Sequence, residues 1–172
     1  MEKIDQLQQE FAKRVSPFAN WIDASREDLV DIFIVHTIEE IQRLCDGHEH
    51  FKSTLGEAEK EFNSIIGIIN EIARIAQQYG ISGTHDNPYT YITPNDFAKK
   101  WTILKQLVPE RDQSLNNELI ENKKNQIQKI DELRQSLAIY IDTYFVDNLS
   151  DTELVNFSLK TERALESEMH AK

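Results

Sequence analysis

At 172 residues the chain is long enough for one ordinary hydrophobic core, or for one elongated helical module and part of another. With 40% apolar and 28% charged residues, and no apolar run approaching the roughly 20 residues a bilayer crossing needs, a membrane span is excluded and the composition argues against general disorder. The net charge of -11 repels phosphate backbones and anionic lipid on average, so nucleic acid is not an expected partner.

The opening Met1-Glu-Lys-Ile-Asp5 lacks the apolar core of a secretion signal, and the single cysteine, Cys45, suits a reducing compartment such as the cytosol. In the first segment apolar residues fall at Ile4, Leu7, Phe11, Val15, Phe18, Trp21 with Ile22, Leu29 and Ile32. Separations of threes and fours predict one amphipathic helix over about residues 2–33, with Pro17 inside it.

The second segment opens on Thr37-Ile-Glu-Glu40, the pattern of a capping box in which threonine and glutamate satisfy each other's free backbone amides. Its stripe runs through Ile38, Ile41, Leu44 with Cys45, His48, Phe51, Leu55, Phe62, Ile65 with Ile66, Ile69, Ile72, Ala76 and Tyr79. Lys52, Gly56 and Glu59 thin it in the middle, and Glu57-Ala-Glu-Lys-Glu61 reads as a solvated face. Gly80-Ile-Ser-Gly83 ends the helix at about residue 79, and His85-Asp-Asn-Pro88 continues the loop.

Thr93-Pro-Asn-Asp96 supplies an N-cap, a proline where its missing amide costs nothing, and an acid facing the positive helix end. The third stripe is Phe97, Trp101, Leu104, Leu107 with Val108, then Leu115 and Leu119; after a polar patch it resumes at Ile127, Ile130, Leu133, Leu137, Ile141 and Tyr144. No turn signal intervenes, so Pro109 is expected to bend this helix without breaking it, over residues 94–147 and roughly 80 Å at about 1.5 Å per residue. Ser150 and Glu153 make a further capping-box pattern, opening a last helix over about 150–171.

The expected fold is all-α. Three long segments of near-heptad spacing predict a left-handed antiparallel three-helix coiled coil over 1–115, with helices at about 2–33, 37–79 and 94–115. Its third helix is shared with a second, incomplete or divergent unit over 116–172, with helices at about 116–147 and 150–171. The core of the first unit is expected from Phe18, Trp21, Leu29, Ile41, Phe62, Ile69, Phe97, Trp101 and Leu104. Trp21 and Trp101 each lie on the stripe of their own helix, where core packing is the ordinary role.

No catalytic constellation, metal set or cofactor motif stands out. Cys45 and His48 have the spacing of half a metal site, but a small buried thiol beside a partly buried imidazole accounts for both. His36, His50, His85 and His170 add no ligand set, and no phosphate loop or calcium loop occurs. An enzyme is not expected, and aromatic and branched residues filling the stripe leave no cavity for a carried ligand.

The residues Ile4-Asp-Gln-Leu7, Phe11-Ala-Lys-Arg14, Pro17-Phe18-x-Asn20-Trp21, Glu27-Asp-Leu29, Phe33-Ile-Val-His-Thr-Ile-Glu-Glu-Ile41, His48-Glu49-x-Phe51, Asn87-Pro-Tyr-Thr90 and Gln106-Leu-Val-Pro-x-Arg-Asp-Gln113 resemble a spectrin repeat. They are most similar to the penultimate repeat of the central rod of the alpha-actinin family, over about residues 3–119. Past Leu119 the match fades to the general pattern of a following first helix; Tyr140 to Tyr144 stand where typical members carry a tryptophan, and the chain ends partway through a second helix.

The resemblance implies a stiff spacer that pairs antiparallel, as a homodimer, between actin-binding ends, in a cytoplasmic, cytoskeletal setting. Actin binding by calponin-homology domains and calcium binding by EF-hands would belong to parts of the parent protein absent from these residues. Residues 1–92 carry 16 acids against 8 bases, so the pairing face is expected to draw on the lysines Lys99, Lys100, Lys105, Lys123, Lys124 and Lys129. The alternative is a monomeric spectrin-repeat scaffold that docks other cytoskeletal or signalling proteins.

Overall fold

The computed structural model of the chain describes residues 2–82, 86–146 and 151–170; of Val146 and residues 151–154 the backbone alone is described. Four helices follow in order: α1 (Glu2–Val30), α2 (Ile38–Tyr79), α3 (Pro94–Val146) and α4 (Asp151–His170). Among the described residues there is no strand. Gly83, His85 and Ser150, each named in the expected loops and caps, lie outside the described residues. The chain divides into two compact units, Met1–Asn122 and Lys123–Lys172.

Local chemistry sets most of the helix ends. At the start of α2 the Glu40 amide donates to Thr37 Oγ1 at 3.2 Å, and the Thr37 and His36 amides donate to Glu40 Oε2 at 3.3 and 2.8 Å. Those bonds from the His36 and Thr37 amides hold the Glu40 carboxyl below the usual carboxylate range. At its end Gly80 takes φ 60°, the left-handed conformation, and donates to Gln77 O while Ile81 donates to Ala76 O. This is the paired closure that satisfies the last free carbonyls and folds Ile81 back onto the core. At the start of α3 the Asp96 amide donates to Thr93 Oγ1 at 3.1 Å, with Pro94 in the first turn.

The end of α1 departs from expectation: the helix stops at Val30, not at about residue 33. Residues 30–35 are Val-Asp-Ile-Phe-Ile-Val, a branched run with little reason to stay helical. Arg111 then fixes the exit, donating from Nη1 to Asp31 O at 2.7 Å with its guanidinium 4.6 Å above the Phe33 ring. Ile32, assigned above to the apolar stripe, is consequently 87% exposed.

Within the first unit the cross-helix contacts establish direction. Lys3, Arg14 and Trp21 of α1 meet Glu71, Glu61 and Phe51 of α2 in descending order, so the two run antiparallel. Phe62, Glu59 and Lys52 of α2 meet Phe97, Lys105 and Asp112 of α3, again antiparallel. α1 and α3 are therefore parallel neighbours on the two sides of α2.

The core between them is built on stacked aromatics. Phe62 lies over Trp101 with centroids 5.1 Å apart and planes 15° apart, and sits 5.0 Å from Phe97. Phe18 reaches the same two rings from α1, at 5.7 and 5.9 Å. Of the core residues expected from sequence, Leu29, Ile41, Phe97, Trp101 and Leu104 are buried; Phe18, Trp21, Phe62 and Ile69 are half-buried against the cluster. Ile68 and Ile75 are buried as well, while Tyr79, placed above on the stripe, is exposed. α2 faces α1 and α3 at once, so its apolar face is wider than a single seam.

α3 continues without a break through Pro109 to Val146, 53 residues in all. Within the second unit Phe145 of α3 stacks on Phe157 of α4 at 4.4 Å, and Arg134 Nη2 donates to Met169 Sδ at 3.6 Å. α4 thus runs antiparallel to the last part of α3.

Candidate interaction surface

Chemistry-bearing side chains of the first unit are arranged as ties between helices. Arg14 forms a two-pronged pair with Glu61, Nε to Oε1 at 3.0 Å and Nη2 to Oε2 at 2.8 Å, and also donates to Ser64 Oγ. The bond to Glu61 raises the guanidinium above its ordinary value. Lys52 and Glu59, which merely thin the apolar stripe in the sequence, lie against α3. Lys52 Nζ is 2.9 Å from Asp112 Oδ1 and 2.6 Å from Glu49, contacts that raise its pKa, the hydrogen bond to Glu49 most. Glu57, Glu59 and Lys60 are exposed, as a solvated face requires, although Glu59 also pairs with Lys105; Glu61, half-buried in its pair with Arg14, departs from that reading.

His48 is buried, its Nε2 3.2 Å from Asp112 Oδ1, the oxygen that also takes Lys52. That distance is within ion-pair range, but the alignment is poor and Nε2 has no hydrogen-bond partner. Cys45, one turn earlier, is half-buried, and burial raises its thiol pKa, helped by Asp46, Glu49 and Asp112. A small cavity of about 250 Å³ opens beside His48, lined by Leu29, Arg43, Leu44, Phe51 and Arg111 among others. Among the described residues no group of three or more His, Cys, Asp and Glu side chains could hold a metal ion.

The six lysines expected on a pairing face divide. Lys100 Nζ is 2.7 Å from Asp23 Oδ2, tying α3 to α1, and Lys105 Nζ is 2.8 Å from Glu59, tying α3 to α2. Both serve the bundle that carries them. Lys99 on the first unit and Lys123, Lys124 and Lys129 on the second are exposed. Sequence alone offers no signal that separates the two sets, because on α3 both sit among polar positions.

Two apolar surfaces escape the expected core. One is the exit from α1, where Val30, Ile32 and Ile34 are exposed beside a groove of about 510 Å³ lined by Leu107, Arg111 and Ser114. The other is the second unit's length of α3, where Ile127, Ile130, Leu133, Leu137, Tyr140 and Tyr144 are all exposed. Side chains of this size in one row are more than the scattered apolar exposure of an ordinary surface. The loop before α3 shows no such vacancy: Asn87 Nδ2 donates to Gln8 O at 2.9 Å and Tyr89 Oη to Asp5 Oδ1 at 2.7 Å, fastening it to α1.

Among the described residues no helix is long and apolar enough to cross a membrane. The spectrin repeat family model matches residues 6–117. The chain is 55% identical over 127 residues to sarcomeric alpha-actinin of Drosophila melanogaster, covering 74% of this chain and 14% of that protein. To alpha-actinin-1 of Gallus gallus it is 51% identical over 126 residues, 73% of this chain and 14% of the relative. To alpha-actinin-1 of Homo sapiens it is 53% identical over 118 residues, 69% and 13% respectively. The chain thus spans about 14% of the length of the curated relatives it matches first. Capped antiparallel helices around stacked aromatics, and a family match over the same residues, agree: the chain belongs to the spectrin repeat family.

Proposed function

We propose that the chain is a spacer segment of an actin cross-linking protein of the alpha-actinin type, non-enzymatic and cytoskeletal. In this reading it sets a fixed separation between actin-binding ends by pairing antiparallel with a second copy. The observation that carries it is the single helix α3, which closes the first unit and runs on through Pro109 into the second. A continuous helix carries tension along its own length, the property a spacer needs, whereas a loop at residue 109 would not. The similarity to alpha-actinins over most of the chain supports the same reading.

Sedimentation equilibrium of the chain, together with co-sedimentation with actin filaments, tests it. The expected result is reversible dimerisation and no pelleting with actin. A strict monomer at high concentration would remove the pairing from this segment. Direct pelleting with filaments would replace the spacer with an actin-binding role.

A further inference from the structure

At the exit from α1 the first unit leaves both apolar side chains and backbone groups without cover. Residues 30–35, Val-Asp-Ile-Phe-Ile-Val, combine high strand propensity with a single charge and no proline or glycine, the composition of a segment that pairs as a strand. Beyond Val30 they belong to no helix, and exposure alternates along them: Ile32 and Ile34 are 87% and 81% exposed, while Phe33 and Val35 are half-buried. That two-residue period belongs to extended chain, and it leads into Thr37, whose backbone is extended. Among the described residues, the amides and carbonyls of Ile32, Phe33, Ile34 and Val35 have no hydrogen-bond partner. The segment is a lone strand with open edges.

We propose that residues 31–35 are a docking strand for an extended segment of another protein, one in which apolar side chains alternate with lysine or arginine. Three observations select this occupant. First, unused backbone donors and acceptors call for a partner whose own backbone groups are free, which an extended chain has and a helix lacks. Second, the strand is held ready at both ends. Arg111 grips the Asp31 carbonyl and the Phe33 ring, and Glu40 takes the His36 and Thr37 amides, so little ordering remains to oppose binding.

Third, the groove of about 510 Å³ beside the strand is acidic. Asp31, Glu110 and Glu118 line it against the single guanidinium of Arg111, and among the described residues none of the three carboxylates is in an ion pair. Basic side chains from the incoming strand would meet them. A second copy would instead bring the same three carboxylates face to face. Nor does the chain supply the occupant itself: among the described residues the other stretches outside helices, 80–82 and 86–93, hold no basic residue, and the second is fastened to α1.

The test titrates the full chain, labelled with nitrogen-15, with capped hexapeptides and follows its amide resonances. A peptide of alternating valine and lysine is expected to bind with a dissociation constant of about 1 mM or tighter. It should shift the amides of residues 31–35 and slow their exchange with solvent. Replacing its lysines with glutamates should weaken binding at least about tenfold, as should Glu110→Gln/Glu118→Gln in the chain. The same peptide methylated on every backbone nitrogen should not bind. Circular dichroism checks that the double variant keeps its helix content.

Equal binding by the methylated peptide would overturn the strand, and equal binding by the glutamate peptide or to the double variant would overturn the basic occupant. No binding at millimolar peptide, or shifts confined to residues outside 29–36 and 107–118, would overturn the site. None of these outcomes bears on the spacer reading, which sedimentation tests separately.

Discussion

Replacing Pro109 with alanine probes the shared helix where it is weakest. Pro109 is residue 16 of α3, far inside it, and its ring nitrogen has no hydrogen to offer the Lys105 carbonyl one turn back. In a helix interior proline is about 3 kcal/mol less favourable than alanine. Part of that cost is absorbed where the helix bends to relieve the ring clash, and proline returns about 0.4–1 kcal/mol by restricting the unfolded chain. Pro109→Ala is therefore expected to stabilise the first unit by about 1–2 kcal/mol, or about 2–8 °C in Tm. Urea unfolding followed by tryptophan fluorescence reads this unit alone, because Trp21 and Trp101 both belong to it. A loss of stability would refute the reasoning: it would mean that residue 109 sits in a turn, where proline's fixed φ helps and alanine's freedom costs.

Trp101→Ala removes a side chain that is 5% exposed and stacked on Phe62, and should cost about 3–5 kcal/mol, measured by the same unfolding transition followed by circular dichroism. Gly80→Ala should cost about 1–2 kcal/mol through backbone strain alone, since φ is +60° and an added Cβ would meet no atom within 4 Å; a neutral result would show that the α2 closure is not left-handed in solution. Acid sensitivity follows from Glu40 and Glu71, whose carboxyls are held low by the His36 amide and by Arg74 respectively. Their folded pKa values lie below the unfolded ones, so their contribution is complete above the ordinary carboxylate range and is lost as pH falls through it. Glu40→Gln should flatten part of that slope in unfolding experiments between neutral pH and pH 3.

Features decided by a few adjacent residues were readable in the sequence. Thr37 with Glu40, Gly80, and Thr93 with Pro94 each name a helix end, because capping is a contest among neighbouring backbone groups. The end of α1 was not, because its decisive contact comes from Arg111, 80 positions away from Asp31. The same holds for Lys52, Glu59 and Glu61, whose partners are on other helices, and for Lys100 and Lys105, which look like surface charge until α3 is packed. Between Ile65 and Ile75 a single seam of threes and fours leaves out Ile68 and Ile75, which are buried because α2 has two neighbours. The second unit's row was visible as periodicity, yet periodicity cannot say whether a face is covered.

The central claim is that α3 passes through Pro109 as one helix. Spin labels at Lys99 and Asn117, both exposed, in the Cys45→Ala background, test it by pulsed electron double resonance. Eighteen residues of continuous helix at about 1.5 Å each predict one narrow distance distribution, with the backbone points about 27 Å apart. A broad distribution centred well below that value would contradict the shared helix and the spacer function argued from it.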